Sequence, residues 1–435
     1  LASLVYPSAT HSRFEHSLGV VDIADRMMQA VNKKKATEAY DKRDIVEARL
    51  AALLHDCGHG PFSHASEFVY DKMSPELAEV RSEDEEKFGG ASGHEILAYL
   101  IVTSDRFKIL WQDICKKYDP AREDFLYDPS KVEWERVGHM IVGAESASCP
   151  KYLCQIINGP FDADKFDYIL RDGYFSGLVT SVDIDRLAVS LDLHRQPNTP
   201  QELCMDIAGA TILEQLLFSK MLLFSSMYHH HKVRAAFRKL VLLFTEARRL
   251  NLRLGGADLS SAVGFLKLDD YNVMAFAPQN SRLGSIAAAI RDRRLPQRVL
   301  VIDRETLSDN GSRVEWVRIG ASPEKISKLE SDIASGAKLN QGDVFVDFPP
   351  EPGVYKTAKF SMIKRSPTSP LIPLDGLYPV GGWLSGYEQF RFRSYILGPA
   401  DSEEAVANSA KNAFARRGIS IDWDIASQLA KWERR

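Results

Sequence analysis

The sequence predicts a mainly α protein, with a helical domain over residues 1–250 that carries the chemistry and a smaller α+β lobe over 251–435. Three observations carry this. Apolar residues recur at helical spacing through most of the first 250 positions. After 251, the runs RVLVIDRETL, VEWVRIGA and DVFVDF alternate or are β-branched, as strands are. A length of 435 residues exceeds one ordinary domain. The second lobe is expected to be regulatory or oligomerising.

Taken in order, residues 10–31 place Phe14, Leu18, Val21, Ala24, Met27, Met28 and Val31 on helical spacing, with Thr10 or Ser12 as N-cap. His16 lies near the start of this helix, with Arg13 on a neighbouring face. NKKKATEAYDKRD (32–44) reads as a solvated connection. Residues 45–57, IVEARLAALLHDC, read as a second helix that ends on His55 and Asp56. Gly58, Gly60 and Pro61 then stop it and hold His59 and His64 on a tight loop. RSEDEEK (81–87) is expected to be a solvated loop. ASGHEILAYLIV (91–102) is a third helix, with Ser92 as N-cap and His94–Glu95 in its first turn. A first-turn glutamate favours the helix dipole by itself, so Glu95 has an ordinary explanation and His94 does not.

Residues 107–140 read as helical and polar. Residues 158–178 carry Asp162, Asp164, Asp167 and Asp172 among Lys165, Tyr168 and Arg171. On a helix Asp164, Tyr168 and Asp172 share a face. So many carboxylates on one apolar helix call for a cation. Residues 211–250 read as one long buried helix with a basic end. Its YHHHK run points His229, His230 and His231 to three faces, and Tyr228, Lys232 or Arg234 could meet an anion. LSSAVGFLKLDDYNVMAF still reads helical. VYKTAKFSMIK and FRFRSYIL are strand candidates, PPEPG and SPTSPLIPLDG are loops, and 402–434 is a charged helix.

Composition excludes several classes. At 45% apolar and 26% charged the chain is that of a globular protein. A net charge of −4 gives no global basic footprint for nucleic acid, leaving only a local one open. Five scattered cysteines without a CxxC pair point to free thiols in a reducing compartment, hence a cytoplasmic location. Cys57 reads as a small buried residue rather than a ligand. The apolar run at 212–228 contains Glu214 and Lys220 and reads as a buried helix, with no membrane partner. No signal peptide is read, and the abrupt opening at Leu1 leads us to expect a longer natural N-terminus.

His16, His55, Asp56 and Asp164 are the ligand candidates. Two imidazoles and two carboxylates from three helices of a bundle can converge on one ion. On a six-coordinate metal they leave positions for water and substrate. Such a metal lowers the pKa of bound water and polarises a phosphoryl oxygen. Arg13 and Lys165 stand near enough in sequence to offset phosphate charge.

The motifs SRFEHSLGV, LLHDCGHGPFSH, GHE and DADKFDYILRD together resemble the HD-domain phosphohydrolase superfamily, whose fold is an HD-domain helical bundle. More narrowly they resemble its deoxynucleoside-triphosphate triphosphohydrolase (dNTPase) branch, which includes the sterile-alpha-motif-and-HD-domain dNTPase. The resemblance covers residues 10–175, weakens through YHHHKV and is vague after 250. It implies one divalent metal (Mn, Mg, Fe, Ni or Zn) on His16, His55, Asp56 and Asp164. It implies that His59, His94 and Glu95 organise the attacking water and that His64 is a general acid. It also implies that Arg13 and Lys165 bind phosphates, and that Tyr168 and Asp172 contact the deoxyribose. The implied reaction is attack of metal-activated water on the α-phosphorus of a dNTP, releasing deoxynucleoside and inorganic triphosphate. A homo-oligomer (dimer or tetramer) and an allosteric nucleotide belong to the same expectation. Cys57 stands where that branch commonly has leucine, and the branch's N-terminal base-contacting segment has no counterpart here.

Fold alone does not choose among chemistries. The alternatives are an HD-type phosphodiesterase, nucleotidase or nuclease, and, in a different class, a nucleotide sensor with little turnover.

Overall fold

A computed structural model describes residues 1–34, 42–117, 127–194, 201–275, 281–350, 354–366, 369–391 and 393–432. The protein is mainly α, with two small sheets. Most of the 32–44 connection, the tip of the PPEPG loop and part of SPTSPLIPLDG lie outside the described residues.

The Arg13–Lys34 helix buries Val20, Ile23, Ala24, Met27, Met28 and Val31, an apolar stripe at three- and four-residue spacing. It starts on a capping box. Ser12 Oγ accepts from the Glu15 N–H at 3.3 Å, and the Glu15 carboxylate accepts from the Ser12 N–H. This helix packs on both the Lys42–Leu54 helix and the Ala163–Ser176 helix. Ala48, Ala51 and Ala52 are fully buried on the Lys42–Leu54 helix, and their small side chains let its neighbours approach closely. Its register is set by a buried cation. Arg136, from the Trp134–Val142 helix, donates to Glu47 Oε2 at 2.5 Å and Asp44 Oδ1 at 2.6 Å, and Tyr152 donates to Asp44 at 2.9 Å.

One hydrophobic cluster gathers residues 20–228 together with 354–384. A second joins residues 65–142 to 240–290. A third, over residues 299–426, packs helices on a sheet in which Ser394–Gly398 lies between Gln297–Ile302 and Phe345–Asp347, antiparallel to both. The segment Ile207–Tyr228 is long and apolar enough to cross a membrane by length and composition, yet Ile212, Leu213, Leu216, Leu217 and Leu223 sit in the first core.

Several elements differ from the sequence reading. RSEDEEK is helical, split between Pro75–Glu83 and Glu85–Phe88. Its charges pair locally: Arg81 holds Asp71 at 2.5 Å, and Asp84 caps the Lys87 N–H at 3.0 Å. The 107–140 stretch is polar only in its first part, since Trp134, Val137, Met140 and Ile141 are buried. VEWVRIGA belongs to the Asn310–Gly320 helix. Trp316 and Ile319, three apart, face the third core while Val317 is exposed, so β-branched density misled where spacing did not. VYKTAKF forms the Val354–Phe360 helix, and only Met362–Lys364 is a strand. The long 211–250 helix is two, Ala210–Leu223 and His231–Arg249, joined by a π-helical turn at Phe224–Tyr228. A hairpin of Leu191–His194 and Glu202–Asp206, extended by Met362–Lys364 and Ile372–Pro373, was not anticipated.

Arg136→Leu leaves Asp44 and Glu47 buried without their cation and is expected to cost about 3–5 kcal/mol. The readout is the urea midpoint of the purified chain, and an unchanged midpoint would contradict this account of the helix register.

Candidate functional site

The Lys42–Leu54 helix ends one residue before His55, and tight turns follow, with Cys57 N–H on Leu54 O at 3.0 Å and His59 N–H on Asp56 O at 3.1 Å. These turns set His55, Asp56 and His59 around one point. Gly58 is required there, because a Cβ would lie 2.0 Å from the His94 carbonyl oxygen. The loop therefore rests directly on the first turn of the Gly93–Thr103 helix, and His59 and His94 stack with ring centroids 3.8 Å apart. On the other side, Gly19 makes room for the Asp167–Arg171 pair, since a Cβ there would fall 1.8 Å from Asp167 Oδ1.

His16 Nε2 lies 3.1 Å from Asp164 Oδ1 and 3.9 Å from Asp56 Oδ2. His55 Nε2 lies 3.4 Å from Asp56 Oδ1 and 3.8 Å from Asp164 Oδ1. All four sequence-selected ligand candidates thus meet, and both imidazoles present the same atom. Their other nitrogens are occupied. His55 Nδ1 can only donate to the Ala52 carbonyl, at 2.8 Å. His16 Nδ1 meets Asp167 Oδ2 at 2.7 Å, and Asp167 is held by Arg171 through two bonds of 2.8 and 2.9 Å. Such outer partners fix tautomer and ring orientation in metal sites. His55 Nε2 is buried without a hydrogen-bond partner among the described residues, which is the condition a cation would relieve. His16, His55 and Asp164 form one group able to hold an ion, and Asp56, His59 and His94 a second, so Asp56 stands between the two.

The packed charges shift each of these groups from its ordinary pKa. Burial disfavours the charged form of His16, but hydrogen bonds to Asp164 and Asp167 outweigh it and raise its pKa to about 10. Burial likewise opposes ionisation of Asp56, and His55, Arg13 and His59 overcome it, holding that carboxyl well below its usual range. The stacked histidines are driven apart. Burial, then the charges of His94 and Arg13, keep His59 neutral, whereas His94 is raised because Glu67 outweighs its burial.

Glu67, on the His64–Met73 helix, is the residue that sequence reasoning missed. Its two oxygens accept from His94 Nδ1 at 2.7 Å and His64 Nδ1 at 2.9 Å, so both rings present Nε2 outward. His64 is largely exposed at the mouth. Glu95 is differently employed, accepting from the Ser92 N–H at 2.6 Å and from Asn158 Nδ2 at 2.8 Å. Arg13 pairs with Asp56 Oδ2, and Lys165 donates to Asp162 at 2.5 Å and to the Gly159 carbonyl at 2.9 Å. Two turns beyond Asp164 on the Ala163–Ser176 helix, Asp172 is held by His11 Nε2 at 2.7 Å and by the Tyr228 hydroxyl, with Tyr168 on the same helix face. Burial above all, and the nearby carboxylates, keep both tyrosines as neutral phenols. His229, His230 and His231 lie at the break between two helices and line a different cavity.

Comparison with known proteins follows the same lines. An HD domain model matches residues 13–126, and a model described as an HD associated region matches residues 182–414. A deoxynucleoside triphosphate triphosphohydrolase SAMHD1 homolog of Dictyostelium discoideum is 27% identical over 397 residues, spanning 85% of this chain and 67% of its own length. The Danio rerio deoxynucleoside triphosphate triphosphohydrolase SAMHD1 is 30% identical over 190 residues, 42% of this chain and 29% of its own length. A hypothetical protein from Aquifex aeolicus, of known crystal structure, superposes with a TM-score of 0.62 at 25% identity, covering 94% of this chain and 89% of its own.

A cation on this site needs the His16 lone pair, which is protonated below about pH 10 in the metal-free chain. Divalent metal binding at pH 7–8 is therefore expected to release protons and to tighten as pH rises. Calorimetric titration in two buffers of different ionisation enthalpy reads the proton count, and identical heats in both would contradict it.

Proposed function

This chain belongs to the HD-domain family of metal-dependent phosphohydrolases, in the form that carries an HD associated region, and on that premise we propose that it hydrolyses deoxynucleoside triphosphates to deoxynucleoside and inorganic triphosphate. The observation that carries the substrate reading is the Tyr168–Asp172–Tyr228 cluster, with Tyr168 and Asp172 one and two turns beyond Asp164 on one helix and the cluster closed by the hydroxyl of Tyr228. A sugar placed there meets the Asp172 carboxylate, an acceptor for a 3′-hydroxyl. The phenol rings crowd the 2′ position and disfavour a ribose. The named relatives that act on deoxynucleoside triphosphates support the same reading.

His16, His55, Asp56 and Asp164 would hold the divalent ion, which when bound supplies a Lewis acid and an acidified water. The remaining work falls to the chain. Arg13, paired with Asp56 here, and Lys165, next to Asp164, offset the charge of the phosphates. Glu67 keeps the Nδ1 proton on both His94 and His64. Their Nε2 atoms are thereby left to exchange a proton with the attacking water and with the departing 5′-oxygen respectively. The opposite shifts of His59 and His94 push the two stacked rings apart in basicity, with His94 the better proton acceptor of the pair. Glu95, with both oxygens engaged, holds the helix turn under His94 rather than the water.

The test is a panel of all dNTPs and NTPs with several divalent metals, reading triphosphate, pyrophosphate and phosphate separately. Triphosphate from dNTPs is expected. Pyrophosphate or phosphate as the released ion would indicate a different bond, and turnover of nucleoside monophosphates or single-stranded nucleic acid would favour the alternatives. Asp56→Ala is expected to lose both metal and activity, and retained activity in chelator would contradict the scheme. Glu67→Gln is expected to keep its metal and KM but lower kcat by about a hundredfold, flattening the pH profile. An unchanged profile would deny Glu67 its positioning role.

A further inference from the structure

The turn that delivers His64 to the site is strained. Phe62 and Ser63, the two residues before it, both have a φ of +54°, in the left-handed region that glycine occupies freely and other residues rarely. Ser63 adds a ψ of −117° and stands at the N-cap of the His64–Met73 helix without a side-chain capping bond. Two such residues in succession, one of them aromatic, persist only where their surroundings hold them. Most of what holds them is local. Ser63 N–H donates to the Gly60 carbonyl at 3.2 Å and Ala65 N–H to the Phe62 carbonyl at 3.1 Å. Ser66 Oγ and Glu67 N–H donate to the Ser63 carbonyl at 3.0 and 3.1 Å. The Phe62 N–H is different. Its partner is Asp270 Oδ1 at 2.7 Å, 208 positions along the chain.

Asp270 opens the Asp270–Ala275 helix, and a first-turn acid ordinarily serves its own helix. Here its neighbour does so, since Asp269 Oδ1 accepts from the Asn272 N–H at 2.6 Å. Asp270 is left to reach across to the HD loop. The segment that carries it is seated against that loop. Phe265, fully buried, packs on Tyr70 of the His64–Met73 helix with ring centroids 5.4 Å apart. A Cβ at Gly60 would fall 3.1 Å from Phe265 Cβ. We propose that Asp270 is a positioning residue of the HD site, whose carboxylate pins the Phe62 N–H and so fixes where His64 stands. A charged acceptor makes this a stronger bond than a neutral one. Asp270 touches no substrate and acts through the backbone of Phe62 and Ser63. Its part in catalysis rests on the proposed hydrolysis. As the bond between the α-phosphorus and the 5′-oxygen breaks, that oxygen takes the Nε2 proton of His64. Glu67 decides which nitrogen of the ring faces out. Asp270 decides where the helix that carries the ring begins, and misplacement on the scale of an ångström is enough to slow such a transfer.

The experiment compares Asp270→Ala and Asp270→Asn in the full, metal-loaded chain. Asp270 is exposed, so neither substitution opens the core. Amide hydrogen exchange over residues 60–67 is expected to be about tenfold faster in Asp270→Ala. It is expected to stay near the wild-type rate in Asp270→Asn, which keeps an acceptor oxygen. For a dNTP, kcat is expected to fall about tenfold in Asp270→Ala with KM within about twofold, and Asp270→Asn is expected to recover most of the loss. A substrate with sulfur in place of the bridging 5′-oxygen separates positioning of the acid from general loosening. A thiolate leaves without a proton, so its turnover is expected to hold within about twofold in Asp270→Ala. In a His64→Ala background, Asp270→Ala is expected to add no further loss. Unchanged exchange, equal losses on the oxygen and sulfur substrates, or fully additive losses in the double variant overturns the proposal. A chain that turns over no dNTP overturns the proposed activity instead, and the exchange result still decides whether Asp270 holds the turn.

Discussion

The constraint on which the structure depends is the balance of charge around Asp56 and Asp164. Two carboxylates are drawn together with two imidazoles that present only Nε2, and each imidazole is locked from behind. The lock on His55 is a backbone carbonyl, and that on His16 is the Asp167–Arg171 pair. Close packing makes this possible. Gly19 admits the pair between two helices and Gly58 admits the loop onto a third, so a methyl group at either position would collide with the groups that orient the site. The Arg136 network then fixes the sliding position of the helix from which His55 and Asp56 hang.

Around that centre the chain separates tasks by geometry. Asp56 faces the His16–His55–Asp164 group on one side and the His59–His94 stack on the other. Glu67 organises the second group as Asp167 organises part of the first, each accepting a proton-bearing Nδ1. The Tyr168–Asp172 pair lies farther along the Ala163–Ser176 helix, and the helix break at Phe224–Tyr228 delivers Tyr228 to it. The same break turns His229 and His230 toward the lobe interface, where burial is the first cause lowering both of their pKa values, with positive charges from Arg234 and from Arg298 and Lys232 respectively adding to it.

Much of this was legible in the sequence because local rules governed it. Helical spacing, the Ser12 and Ser92 caps and the glycines after Asp56 located three of the site's helices, and the shared face of Asp164, Tyr168 and Asp172 located the fourth. What was not legible depended on contacts distant in sequence. Glu67 looks like any first-turn acid until His94, 27 residues on, is brought to it. Its offset of three from His64, the spacing of one helix turn, was the signal available. The direction of Glu95 was equally hidden, because adjacency to His94 says nothing about it, and its oxygens accept from Ser92 and Asn158. His11, which no sequence signal singled out, supports Asp172. In the C-terminal half, β-branched runs suggested strands at positions where burial spaced three apart builds helices.

The central claim is that His16, His55, Asp56 and Asp164 surround a single cation. X-ray absorption fine structure of the zinc-loaded chain tests it most directly. The account predicts two imidazole nitrogens in a mixed nitrogen–oxygen shell at about 2.0–2.2 Å, one of which disappears in His55→Ala. A shell of oxygen alone, or one indifferent to that substitution, would contradict it.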